Sequence, residues 1–132
     1  MAYGDYAKGE MRLETVIDSE SEDFKKAWKT GEDEFQRMGF TPEVSSLILK
    51  VVLKCAIERT AYEAFSKTDM RGAGWAWNFY VDNPPVEAAA LYLTRNRKIR
   101  IRSTAHWSTS DAGEYGKFLT VNIGDFVIAP VK

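Results

Sequence analysis

Residues 42–67, PEVSSLILKVVLKCAIERTAYEAFSK, constrain this chain more than any other stretch. Thr41 is a good cap and Pro42 suits the first helical position, where its missing N–H costs nothing. Val44, Leu47, Ile48, Val51, Val52, Cys55, Ala56, Arg59, Tyr62 and Phe65 then mark one principal helical face, and Leu49, Leu53 and Ile57 extend it around the circumference. Such a helix would be about 39 Å long. A helix apolar on this much of its surface must be covered on two sides or shared with another chain. Its most apolar run, LILKVVLKCAI at 47–57, is interrupted by Lys50 and Lys54 and is too short to span a bilayer, so no membrane partner is expected.

The other segments supply the cover. MRLETVID at 11–18 alternates like a strand. Phe24, Trp28, Gly31, Phe35 and Met38 form a helical stripe, with Ser19 or Ser21 as cap and Gly39 as terminator. Gly31 marks either a close helix crossing or a break into two helices. WAWNFYVDNPP reads as an aromatic strand, or as a short helix. Asn83 can cap a helix bearing Val86, Ala89, Ala90 and Leu93, and Asn96 can end it. KIRIRSTAHW is the clearest period-two run, with Ile99, Ile101, Ser103, Ala105 and Trp107 on one face and Lys98, Arg100, Arg102, Thr104 and His106 on the other. Ser108–Gly116 reads as a polar loop. Residues 117–123 and 126–128 read as two strands across a Gly124-Asp125 bend. The expected fold is α+β: a long central helix and shorter helices packed on a mainly antiparallel sheet with a C-terminal meander, as one domain over 10–132 after a flexible arm, 1–9.

Composition bounds the function. The 132 residues suffice for one domain, and 18 basic against 19 acidic side chains give a net charge of -1, which argues against a generally polycationic nucleic-acid binder. The near-zero total is a cancellation. Residues 1–43 hold 11 acids and 6 bases, whereas residues 94–132 hold 3 acids and 7 bases. The two ends either attract each other within the folded chain or present opposite faces to partners. A single cysteine, Cys55, excludes an internal disulfide, and with no apparent signal peptide this suggests a cytoplasmic or other reducing intracellular location.

Two segments are candidate protein-binding surfaces. Lys98, Arg100 and Arg102, approached by Arg95 and Arg97, could meet an acidic protein patch or phosphates; the plain alternative is a solvated sheet face, or cross-strand pairing around Arg12, Glu14 and Asp18 where geometry permits. Trp75, Trp77 and Phe79 could anchor a partner or dimer seam, or fill the core beneath the long helix. Trp107 lies on the opposite face from Arg100 and Arg102 unless a β-bulge intervenes, which disfavours base stacking beside the arginines. His106, Ser108, Ser110 and Asp111 include the residue types of acyl transfer without its motif. Cys55 is expected to be buried and quiet, and the acids at 20–23 and 32–34 to form solvated helix faces. No cofactor, metal or catalytic set is assigned. The expected function is a small non-enzymatic protein-interaction or assembly module, binding a protein partner or itself. The alternative is a local nucleic-acid-binding module, with a small hydrolase or transferase ranked lower.

Overall fold

The computed structural model describes residues 7–41, 44–67, 75–111 and 117–132. Residues 1–6 of the expected arm, Pro42 and Glu43 of the helix-start signal, 68–74 after the long helix and 112–116 of the expected loop lie outside them. The elements are β1 (Lys8–Asp18), α1 (Glu22–Arg37), α2 (Ser45–Ser66), β2 (Trp75–Val81), α3 (Asn83–Arg95), β3 (Lys98–Asp111) and β4 (Lys117–Pro130). The sheet order is β1-β3-β4-β2. Its β1–β3 and β3–β4 pairs are antiparallel and its β2–β4 pair is parallel. This is an α+β fold in which the longest helix, α2, and two shorter ones pack against a mostly antiparallel sheet.

The helix ends follow from local chemistry. Ser21 Oγ accepts the Phe24 N–H at 3.1 Å, and Glu22 and Asp23 sit in the positive first turn of α1. At the other end Gly39 takes φ +89°. Its N–H donates to the Gln36 C=O and the Phe40 N–H to the Phe35 C=O, the bonding of a Schellman motif. The apolar contact that accompanies this motif is present as Phe35 against Phe40, with ring centroids 5.4 Å apart. Helix α1 is continuous through Gly31, where an added Cβ would lie 3.2 Å from Ile48 Cγ2. The glycine therefore permits a close α1–α2 crossing and does not break the helix. α3 begins after Asp82 with proline in its first turn and ends at Asn96; the Asn83 side chain, an expected cap, lies outside the described residues.

Side chains that alternate along the strands divide the sheet into two faces. Leu13, Ile17, Ile99, Ile101, Ala105, Leu119, Val121 and Ile123 turn inward and are buried against Leu53, Ile57, Ala61 and Phe65 of α2 and Val86, Ala89 and Ala90 of α3. Fully covered alanines, Ala61 and Ala89, let the helices approach the sheet closely. The opposite face carries the charged residues of β1 and β3.

Three expectations are corrected. The face of α2 differs from the one its periodicity suggests: Leu47, Val51, Cys55 and Tyr62 are exposed, and Ile48, Val52, Leu53, Ile57, Ala61 and Phe65 are buried. The helix is apolar on nearly every side, so periodicity cannot choose between its faces. Ile48 serves the α1 crossing, and Leu53, Ile57, Ala61 and Phe65 serve the sheet. Ser108–Ser110 continue β3 and are not loop, because they pair with Thr120, Leu119 and Phe118; Thr109 is buried and its Oγ1 accepts the Ala7 N–H at 2.8 Å. Gly124-Asp125 is not a turn between two strands. Thr104 faces Gly124 while Arg102 faces Val127, so β4 carries one extra residue there, with Asp125 at φ +50°. That is a β-bulge within a single strand, and it leaves the phase of β3 untouched.

Candidate interaction surfaces

The basic strand meets the acidic one. β1 and β3 are neighbours in a register that sets Glu14 beside Arg102, Val16 beside Arg100 and Asp18 beside Lys98. The Glu14 carboxylate lies 3.0 Å from Arg100 Nε and 3.5 Å from Arg102 Nε. Arg97 Nε donates to Asp18 Oδ1 at 3.0 Å, and His106 Nε2 lies 3.4 Å from Glu10 Oε2. The bond from Arg97 and a second from the Glu20 N–H hold the Asp18 carboxyl below its ordinary pKa. Arg95 stands apart, in the last turn of α3 beside Tyr92, where a cation complements the helix dipole. The opposite charges of the two ends thus meet inside the folded chain. Because two guanidinium groups share the single Glu14 carboxylate, a positive excess remains around Arg100 and Arg102.

The aromatic strand lies under α2. Trp77 and Phe79 are half-buried and packed against the core. The Trp77 ring lies 5.0 Å from Tyr62, 6.1 Å from Phe65 and 6.0 Å from Phe79. Its open edge continues into Tyr62, which is 53% exposed. The Trp75 backbone pairs with Lys117, and its side chain lies outside the described residues. Trp107, on the helix side as its phase requires, covers Gly9 and meets Phe65 at 6.3 Å.

A further surface escaped the sequence reasoning. None of the α1 residues is fully buried, yet Phe24 and Trp28 point toward α2 and α3. With Leu49 and Leu93 they line an apolar groove of about 330 Å³. It runs on past Trp28, Leu49 and Thr94 into a second depression of about 450 Å³ floored by Ala90 and Leu91. Lys25, Ser45, Ser46 and the Lys50–Glu87 ion pair (3.0 Å) edge the two. The signal was the aromatic pair at four-residue spacing; what the sequence could not reveal is that α1 rests on α2 and leaves that stripe half open.

The remaining candidates separate in space. His106, Ser108 and Ser110 share the helix-free face but follow one another along an extended strand, about 7 Å apart at each step of two residues. The Asp111 side chain lies outside the described residues. Cys55 is on α2 and His106 on the far side of the sheet, so the two cannot meet. Cys55 is exposed, contrary to expectation, because it belongs to the uncovered stripe of α2; partial desolvation and then Glu58 push its thiol pKa up. The helix acids pair at the surface, Glu20 with Lys25 at 3.5 Å and Glu34 with Arg37 at 2.7 Å. Among the described residues no group of three or more histidine, cysteine or acidic side chains could hold a metal ion, and no helix is long and apolar enough to cross a membrane.

Compared with known proteins, the chain matches no family model, no curated protein and no solved structure.

Proposed function

We propose that this chain is a small non-enzymatic protein-interaction module whose main contact surface is its helical layer. The observation that carries this reading is the groove around Trp28, an apolar floor bounded by charged and hydroxyl side chains and left open by α1, α2 and α3. Exposed Leu91 at its far end adds to an apolar surface of the kind that marks contact sites. Two adjoining apolar depressions with polar rims suit an amphipathic helix from another protein, whose anchors at three- and four-residue spacing would lie on Trp28 and Leu49. The positive excess at Arg100 and Arg102 forms a second, charge-based contact for an acidic partner. Glu10, Glu14 and Asp18 stand on that same face and favour protein over nucleic acid, whose phosphates they would repel.

Peptide display against the immobilised protein, followed by titration of the selected peptides, tests the groove. The expected result is enrichment of sequences with apolar residues at helical spacing, whose binding weakens at least about tenfold in Trp28→Ala or Leu91→Glu. Failure to enrich such peptides, or affinities unchanged in both variants, rejects the groove as the contact surface.

A further inference from the structure

β1 is an edge strand, and among the described residues it pairs with β3 alone. In an antiparallel ladder the N–H and C=O of one residue point to the same side, and that side alternates along the chain. The Ser19 N–H donates to the Arg97 C=O at 2.9 Å and the Thr109 N–H to the Ala7 C=O at 2.8 Å, at the two ends of an unbroken register. Odd-numbered residues therefore bond to β3. Lys8, Glu10, Arg12, Glu14, Val16 and Asp18 turn their peptide groups to the free edge. The Asp18 C=O agrees with this, since it accepts the Ser21 N–H from outside the ladder at 3.0 Å. α1 packs on α2 and does not run along this edge.

The same six residues project their side chains on the helix-free face, so the free edge carries a charge sequence: plus, minus, plus, minus, neutral, minus. We propose that the protein forms a two-fold homodimer in which two β1 edges pair antiparallel about Leu13, fusing the two sheets into one. That centre sets Arg12 opposite the partner's Glu14, Lys8 opposite the partner's Asp18 and Glu10 opposite the partner's Val16. Opposite charges facing one another across strands are favourable, and like charges are not. Moving the centre by one residue destroys the match. About Arg12, that residue meets its own copy and Glu10 meets the partner's Glu14; about Glu14, that residue meets its own copy and Glu10 meets the partner's Asp18. Centres further out shorten the ladder.

Within the chain Glu14 and Asp18 already have cationic neighbours and Glu10 faces His106, whereas Lys8 and Arg12 have no ion pair among the described residues. The dimer supplies the missing partners. It yields a row running Arg102, Glu14 and the partner's Arg12, with alternating sign. Charged edge residues ordinarily discourage strand addition. Here their spacing makes the edge self-complementary over its whole length about Leu13, as a two-fold contact must be; centres at Met11 or Thr15 also set opposite charges together but over a shorter ladder. This association uses the sheet edge and is independent of the helical groove, so either can fail without the other.

Light scattering across a concentration series, with carbodiimide cross-linking and peptide mass spectrometry of the full chain, tests it. The expected result is a dimer in which Lys8 is joined to Asp18. These residues lie about 33 Å apart on one extended strand, so a zero-length link between them must cross two copies. Arg12→Glu reverses two symmetry-related pairs and should weaken the dimer by about tenfold or more. Val16→Pro removes an edge N–H that β3 does not use, at a kind of position that tolerates proline, and should also weaken it. Both variants should retain the wild-type circular dichroism. A chain that stays monomeric at millimolar concentration overturns the proposal, as does a dimer without the Lys8–Asp18 link or one equally tight in both variants. The cross-link in the wild type needs no variant to fold.

Discussion

Phe65 fastens α2 to the strands on either side of β4, and its removal is the sharpest test of the packing. The side chain is fully buried. Its ring stands edge-on to Trp77 of β2 at 6.1 Å and 79° and to Trp107 of β3 at 6.3 Å and 82°. Truncating a buried phenylalanine to alanine costs about 3–5 kcal/mol, and each lost edge-to-face contact accounts for about 0.5–1.5 kcal/mol beyond area. Trp77 and Trp107 are themselves half-exposed, so they can settle partly into the space, which puts Phe65→Ala near 4 kcal/mol, to about one unit. Phe65→Leu keeps most of the volume and should lose about 1–2 kcal/mol. Tyr62 touches the same Trp77 ring at 5.0 Å from an exposed position, so Tyr62→Ala should cost under about 1 kcal/mol. Urea titration followed by tryptophan fluorescence reads these differences. With a slope of about 2 kcal/mol per molar, the midpoint should fall by about 2 M for Phe65→Ala and by under about 0.5 M for Tyr62→Ala. Equal losses at the two positions would refute the assignment of Phe65 to the core and Tyr62 to its rim.

Other perturbations have opposite signs that the structure dictates. Arg97 holds the Asp18 pKa below 3.8, so the stability from this pair is fully present above that value and is lost as pH falls through the lowered folded pKa. Asp18→Asn should therefore lower the urea midpoint at neutral pH, with the gap to wild type closing on acidification. Glu58 behaves in reverse: partial burial raises its pKa above 4.5 against the pull of Lys54, so Glu58→Gln should raise the midpoint at neutral pH and lose that advantage in acid. An added Cβ at Gly9 would sit 2.7 Å from Trp107 Cζ2, so Gly9→Val should cost about 1–3 kcal/mol and change the near-ultraviolet circular dichroism. Desolvation and Glu58 keep the Cys55 thiol protonated above its ordinary pKa of 9.0. A disulfide reagent should therefore label it slowly at neutral pH despite its exposure, and faster in Glu58→Gln.

Features set by near neighbours in the chain were readable from the residues. Ser21, Gly39 and Asn96 end their helices as their chemistry requires, and the alternation of KIRIRSTAHW places Ile99 and Trp107 inside and Arg100 outside. Even the charge cancellation had physical content, since Glu14 and Asp18 meet Arg100 and Arg97 across one strand boundary. What stayed hidden depends on which surfaces meet. Leu47 and Leu53 look alike in a helix apolar all round, and only the placement of α1 and the sheet decides that one is exposed and the other buried. Ser108 and Ser110 are polar enough for a loop, but the reach of β4 makes them strand. The groove beside Trp28 exists because three helices fail to close over one another, a property of none of them separately.

The strand order also bears on how the chain can assemble during its synthesis. β1 and β2, the two edges, are both made before β3 and β4, the two strands that hold them. The two early strands are not neighbours in the sheet, so until β3 emerges there is no sheet for α2 to cover. All of the strand pairing among the described residues waits for β3 and β4, a late and non-local closure of the kind that slows folding. During that interval the helix with the most apolar surface has only α1 and α3 for shelter, which makes the nascent chain, more than the finished fold, the state exposed to aggregation.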